Sequence, residues 1–107
     1  MAEPVSFIVG FHEGTDASKV KTDLENLASD LTYKYTSSRL SYMMCETSQQ
    51  TYERVFNAKL KYLTYTVNKG MRQEQTVSNW SEEVRATVPA SVQGVEYVHL
   101  SYKMHPC

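Results

Sequence analysis

The spacing of apolar residues at the start of the chain changes from two residues to three or four. Apolar side chains occupy every second position of Val5–Phe11, which predicts a β-strand over Pro4–His12. In Ala17–Leu31 they recur three and four residues apart, which predicts a helix with one buried stripe. Thr15 or Asp16 would begin this helix, because either side chain can accept a hydrogen bond from its first free amides.

A segment rich in Tyr, Thr and Ser follows, and its composition favours strands. It covers Thr32–Thr47, and a turn predicted at Thr36–Arg39 would divide it into two strands. A second, shorter helix is predicted from Ser48, whose hydroxyl can cap it, to Asn57, which tolerates the left-handed backbone of a helix end. Its buried face would consist of Tyr52, Val55 and Phe56.

The remaining pattern predicts a hairpin and a closing strand. Leu60–Val67 and Met71–Trp80 have β composition and are joined by the turn residues Asn68–Gly70, which predicts an antiparallel pair. Three further elements are predicted after it: a solvated acidic loop at Glu82–Glu83, a one-turn helix from Pro89 and a final strand at Val95–Tyr102.

This order of elements predicts an α+β protein. The most economical arrangement is a ferredoxin-like split βαβ fold, an antiparallel sheet with two helices on one face and the hairpin inserted before the last strand. The chain length suits a single domain over 1–107, with a short extended C-terminal tail at 103–107.

Charge and composition limit the kinds of partner. Lys and Arg number 11 against 12 Asp and Glu, so the formal net charge is −1 and there is no basic excess to neutralise nucleic-acid phosphates. No apolar run approaches the roughly 20 residues of a membrane span, and the acidic start at Met1–Pro4 does not resemble a signal peptide. We therefore expect a soluble protein made in the cytoplasm that binds neither nucleic acid nor membrane.

Patterns typical of catalysis or metal binding are weak. His12 and His99 belong to no common motif, and Cys45 lies in a predicted strand, where a buried thiol is typical. His105 and Cys107 could share a metal ion, but two ligands in a terminal segment do not define a site. We expect no catalytic residue, no metal and no cofactor. The alternative is a small cofactor-free enzyme that uses His12 or His99 in a cleft between sheet and helices.

Tyrosine is the unusual feature of the composition, with eight residues. β propensity accounts for many tyrosines in strands. A tyrosine also supplies a large contact area at low entropic cost, which is typical of protein-binding surfaces. The sequence therefore predicts a partner-binding sheet face formed by Tyr33, Tyr35, Tyr42 and Tyr62.

Two phrases within residues 50–100 resemble those of a known family. Tyr52–Leu60 is similar to a helix that ends in Phe-Gly-x-x-Leu, with Asn57 in place of the usual glycine. Val88–Val95 is similar to the phrase Val/Leu-Pro-Ala-Ser-Leu-x-x-x-Val, which precedes a final strand. Both phrases resemble the prodomains of sedolisin (kumamolisin) and subtilisin-type proteases and the related free inhibitors.

The resemblance implies a non-enzymatic protein-binding module, an inhibitor or folding assistant of a subtilisin-like serine protease. One sheet face would pack on the protease, and the C-terminal tail would lie in its cleft like a substrate, adding backbone hydrogen bonds. Cys107 would lie nearest the catalytic serine and Met104 would fill a more distant apolar subsite. The residues implied in the tail are Met104, His105, Pro106 and Cys107.

A structural role is the alternative function. The chain would then be a subunit of a virus particle or another large complex, an oligomer held by sheet edges and tyrosine-rich surfaces.

Overall fold

The chain forms six strands and two helices within residues 3–37, 39–68, 70 and 74–101, the part that the computed structural model describes. The α+β class predicted from the sequence is therefore confirmed. In chain order the elements are β1 Val5–Phe11, α1 Ala17–Leu27, β2 Thr32–Ser37, β3 Tyr42–Thr47, α2 Gln49–Val55, β4 Lys59–Asn68, β5 Glu74–Val84 and β6 Val95–Leu100.

Four of the strands make one antiparallel sheet, in the order β2-β3-β1-β6. β1 lies at its centre, so Phe7 is paired with Cys45 of β3 on one side and with Leu100 of β6 on the other. β4 and β5 form a separate two-stranded antiparallel sheet, the hairpin. Its base contacts α2 and β6, which places it beside one edge of the larger sheet.

One face of the four-stranded sheet packs against both helices, and we call it the covered face. Phe7 is its centre, fully buried, with ring centroids 5.2 Å from both Tyr52 and Phe56. α1 contributes Val20 and Leu24 to the same core. Because side chains alternate along a strand, the apolar row of β1 is buried as a set. The strand residues of the covered face include Val5, Phe7, Val9, Met43, Cys45, Val98 and Leu100.

α1 ends four residues earlier than its apolar pattern predicts. The backbone becomes extended at Ala28, and the chain turns so that Leu31 enters the core before β2 begins. The Asp30 carboxylate accepts hydrogen bonds from the hydroxyls of Ser48, at 2.7 Å, and Thr51, at 2.8 Å. This contact to the start of α2 holds the loop in a conformation that helix propensity alone does not favour.

The predicted helix ends agree with the structure at three positions. Asp16 caps α1 by accepting from the Ser18 amide at 3.0 Å. Ser48 caps α2 by accepting from the Thr51 amide at 3.3 Å. Asn57 adopts the left-handed backbone, with φ of 50°, just after α2.

Two predictions between the hairpin and β6 are wrong. Glu82 and Glu83 belong to β5 and do not form a loop, because the backbone pairing of β5 with β4 continues as far as Val84, opposite Lys59. Glu82 accepts from the Leu100 amide at 3.1 Å, and Glu83 lies 3.7 Å from the Lys59 amine. Pro89 begins a turn closed by the Val92 amide and not a helix.

The hairpin turn and the end of the last strand are described in part. Gly70 has a left-handed backbone, with φ of 80°, as the turn prediction requires. Lys69 and Met71–Gln73 lie outside the described residues, as do Tyr102 and the tail at 103–107. Neither helix in the described part of the chain has the length and apolar composition needed to span a bilayer.

Candidate protein-binding face of the sheet

The face of the four-stranded sheet opposite the helices carries aromatic and apolar side chains, and we call it the open face. It consists of the residues that alternate with those of the covered face. In the centre, Ile8 of β1 lies between Met44 of β3 and His99 of β6. The other residues of the open face are Ser6, Gly10, Thr32, Lys34, Tyr35, Ser37, Tyr42, Glu46 and Tyr97.

Tyr35 and Tyr42 form an edge-to-face pair at one side of the open face. Their ring centroids are 6.3 Å apart with the planes at 72°, and Tyr35 is 49% exposed. A hydrogen bond to Tyr35 and its nearby charge raise the pKa of the Tyr42 hydroxyl above its ordinary value. The Tyr42 phenol is therefore neutral at physiological pH, which favours a protein contact over ion pairing.

Tyr97 and His99 form a second ring pair on the other side of β1. The rings are stacked, with centroids 5.2 Å apart and planes only 6° from parallel. The Tyr97 ring lies directly over Gly10, where a Cβ atom would overlap it. Gly10 therefore allows the phenol to lie flat on the sheet and keeps this part of the open face level.

The four predicted tyrosines do not share one surface. Tyr33 pairs with Cys45 whereas Tyr35 pairs with Met44, because β2 contains a bulge at Lys34. Tyr33 consequently packs against the core, with the Lys21 amine 4.7 Å from its ring centroid. The expectation that Tyr33 belongs with Tyr35 on a single binding face is wrong, since one inserted residue reverses the alternation.

Tyr62 lies on the hairpin and not on the four-stranded sheet. Its ring centroid is 4.8 Å from that of Trp80 on the neighbouring strand. The structure therefore brings Tyr35 and Tyr42 together on the open face and places Tyr62 in a separate aromatic pair. The predicted tail residues Met104, His105, Pro106 and Cys107 lie outside the described residues.

Sequence reasoning missed the centre of the open face. Ile8 and Met44 occupy the otherwise polar rows of β1 and β3, and Tyr97 covers Gly10. Ile8 was the available signal, because an isoleucine on the outer row of a half-buried strand is unusual. The glycine within β1 was a second signal, since it often marks the close approach of another group.

The residues considered for catalysis lie apart from one another. The His12 ring is 3.8 Å from the Glu96 carboxylate, and both side chains are mostly exposed. Burial, with a smaller contribution from Glu25, raises the pKa of the Cys45 thiol to about 12, so it is not a nucleophile at neutral pH. Within the described ranges no three His, Cys, Asp or Glu side chains are placed to hold a metal ion.

Two surface clefts lie near the N-terminal end of β1. One is formed by Pro4, the Asp30 loop and the junction of β3 with α2. The other, of about 220 Å³, lies between the end of β6 and the base of the hairpin. Neither His12 nor His99, the two histidines in the described part of the chain, lines either cleft.

Comparison with known proteins gives no relative from which a site could be transferred. No protein-family model, curated protein or solved structure matches the chain. The candidate site is therefore defined by its own geometry: a level sheet surface with two aromatic pairs on either side of Ile8 and Met44.

Proposed function

We propose that this chain is a non-enzymatic protein-binding module that docks a partner on its open face. The observation that carries the proposal is the position of both helices against the covered face, which leaves Tyr35, Tyr42 and Tyr97 accessible opposite them. Rigid aromatic side chains on a level surface are typical of binding surfaces, because little conformational entropy is lost when they are covered.

The partner that we propose is a subtilisin-like serine protease, which the chain would inhibit or help to fold. Support for this choice comes from the resemblance of Tyr52–Leu60 and Val88–Val95 to protease prodomains. We also propose that the fold is ferredoxin-like with an inserted hairpin. The antiparallel order β2-β3-β1-β6, with α1 before β2 and α2 after β3, supports this.

The size of the open face supports a second point of contact. Four strands about 4.8 Å apart and about six residues long cover roughly 400 Å² in plan. A stable interface buries about 800 Å² on each partner, so the sheet alone supplies about half. The tail would supply the rest by binding the protease cleft as an extended strand.

Inhibition of subtilisin, measured with a chromogenic peptide substrate, tests this function. We expect the intact chain to inhibit at micromolar concentration or below. Removal of the tail residues 103–107 should weaken inhibition by about two orders of magnitude or more, and the double variant Tyr35→Ala, Tyr42→Ala by about tenfold. Lys19→Ala, in an exposed position on α1, is the matched control and should leave inhibition unchanged.

An intact, folded chain that does not inhibit at micromolar concentration would show that the protease is the wrong partner. Inhibition that is equally strong after both changes would show that neither the tail nor the open face makes the contact.

The hairpin favours a second candidate function, that of an assembly subunit. β4 and β5 pair with each other, and Leu63 on this hairpin is 40% exposed. The base of the hairpin packs on α2 and β6, and a neighbouring subunit would stabilise the rest, because a two-stranded hairpin is only marginally stable by itself. Size-exclusion chromatography with light scattering tests this. We expect an oligomer that Leu63→Asp converts to monomer, and a monomer at all concentrations would contradict it.

A further inference from the structure

The cleft beside the hairpin has a lining suited to a cation. It lies where the segment before β1, the end of β6 and the base of the hairpin meet, and its volume is about 220 Å³. Two aromatic residues, Tyr62 and Trp80, and two acidic residues, Glu3 and Glu46, line it. Among the residues that the structure describes, no lysine, arginine or histidine lines it.

The aromatic residues of the cleft are held in place. The Trp80 indole Nε1 donates to the Pro4 carbonyl at 3.2 Å, which fixes the ring against the start of β1. The Tyr62 ring lies 4.8 Å away, centroid to centroid, with its plane tilted by 58°. Electron-rich ring faces attract cations, and tryptophan does so most strongly.

The charges around the cleft leave an excess of negative charge. One Glu46 oxygen lies 4.0 Å from the Lys34 amine, and the other accepts from the Ser6 hydroxyl at 3.4 Å. Lys34 is nearly half exposed at the side chain, so its pairing with Glu46 is weak. Glu3 adds a second carboxylate, and Glu82 accepts from the amide of Leu100, which also lines the cleft.

The size of the cleft selects the kind of ligand. Sites for small molecules usually measure about 300–1,000 Å³, so this cleft suits one side chain better than a free metabolite. A guanidinium group can stack on an aromatic ring and donate two parallel hydrogen bonds to a carboxylate. The combination of Trp80 and Tyr62 with Glu3 and Glu46 therefore matches an arginine side chain.

We propose that this cleft binds an arginine side chain of the protein that docks on the open face. The proposal rests on the protein-binding function above, since the arginine belongs to the docked partner. Ser6 and Glu46 belong to the open face and also line the cleft, so the two surfaces are continuous. The open face supplies the contact area with the docked protein, and the cleft fixes the position of that protein on the face.

Fluorescence of Trp80, the single tryptophan of the chain, provides the test. The intact protein is titrated with N-acetylarginine amide to about 100 mM, a range suited to a single weak contact. N-acetylcitrulline amide, uncharged and nearly identical in shape, is the matched probe. We expect a saturable change with the arginine derivative, a weaker one with N-acetyllysine amide and none with the citrulline derivative.

Variants of the carboxylates test the site itself. Glu46→Gln and, separately, Glu3→Gln should each raise the dissociation constant about threefold or more. Glu13→Gln, an exposed acid at the opposite end of β1, is the control and should leave it unchanged. Circular dichroism identifies a variant that does not fold, and Glu3 lies outside the strands, so its variant tests the site if Glu46→Gln fails.

Two outcomes would overturn the proposal: an equal response to the citrulline derivative, or unchanged binding in both carboxylate variants. Neither depends on a protease, so this result is separable from the inhibition assay. Arginine binding without inhibition would contradict the proposed partner but not the cleft. Inhibition without arginine binding would contradict the cleft alone.

Discussion

The two faces of the four-stranded sheet are built from the same strands but have opposite surroundings. On the covered face, Phe7 and Cys45 are buried beneath the helices. On the open face, their chain neighbours Ile8 and Met44 are only half-buried. The comparison shows that apolar character alone does not decide burial, because Ile8 is as apolar as the buried valines of β1. What differs is whether a helix lies above the side chain.

The two faces also contribute differently to the stability of the fold and to the binding of a partner. Side chains of the covered face fill a close-packed core, where each removed atom leaves a cavity. Side chains of the open face have solvent on one side, so their removal affects what docks there more than it affects folding.

Thiol reactivity should give the largest difference between the faces. At pH 8 a thiol with a pKa of about 12 is ionised in about one molecule in ten thousand, against about one in four for an ordinary cysteine. Two variants with one thiol each are compared: Cys107→Ser, which keeps Cys45, and the triple variant Met44→Cys, Cys45→Ala, Cys107→Ser, whose thiol lies on the open face. Cys45 in the first should therefore react with a disulfide reagent about a thousandfold more slowly than the thiol introduced in the second. Absorbance of the released thiolate gives both rates.

The control for this measurement is the unfolded chain. In denaturant both thiols should react at similar rates, because the burial that raises the pKa of Cys45 is lost. Equal rates in the native protein would show that the covered face is accessible.

Truncation of neighbouring residues in β1 should affect stability unequally. Phe7→Ala should lower the free energy of unfolding by about 3–5 kcal/mol, because it removes the ring that packs between Tyr52 and Phe56. Ile8→Ala, on the open face, should lower it by about 1 kcal/mol. Urea denaturation followed by circular dichroism measures both.

Phe7→Leu serves if the alanine variant does not fold, and its loss should lie between the other two. Equal losses at positions 7 and 8 would contradict the assignment of the faces.

Gly10 and Tyr97 test whether the open face has its own packing. Gly10→Ala should lower the free energy of unfolding by about 1–2 kcal/mol, because the new methyl group displaces the Tyr97 ring. In a Tyr97→Ala background the same change should be neutral or stabilising by about 0.5 kcal/mol, since alanine is favoured over glycine within a strand. Chemical denaturation of the four proteins gives the coupling free energy. Additive effects would show that the ring does not lie over Gly10.

The smallest change in stability is expected from Asp30, in the loop between α1 and β2 that hydrogen-bonds to the start of α2. Hydrogen bonds from Ser48 and Thr51 lower the pKa of the Asp30 carboxyl. Its contribution to stability is therefore complete above the unfolded-state pKa of about 3.9 and is lost as the pH falls through the lower folded-state value. Asp30→Asn should flatten the loss of stability with acid across this window, whereas the control Glu13→Gln should not. Parallel pH profiles for wild type and Asp30→Asn would contradict the contact.

The local pattern of the sequence was sufficient for most elements but not for the surface tyrosines. The alternation of Val5–Phe11 identifies both the strand and its buried row, because period-two spacing depends only on strand geometry. The same reasoning does not predict that Tyr33 and Tyr35 lie on opposite faces of the sheet, since the bulge at Lys34 is a property of the pairing between β2 and β3. The same reasoning also fails for Glu82, because its place in β5 depends on backbone pairing with the distant residue Leu60 of β4.

The sequence by itself determined the order of the six strands and two helices, a cap for α1 at Thr15 or Asp16, the Ser48 cap of α2, and the left-handed residue Asn57. These features depend on neighbours within a few residues. Only the tertiary structure decided that α1 stops at Leu27, that Tyr33 faces the helices and that Trp80 meets Tyr62 beside Glu3 and Glu46. Each of these depends on groups far apart in the chain, and local spacing carries no information about which distant segment will lie against a given residue.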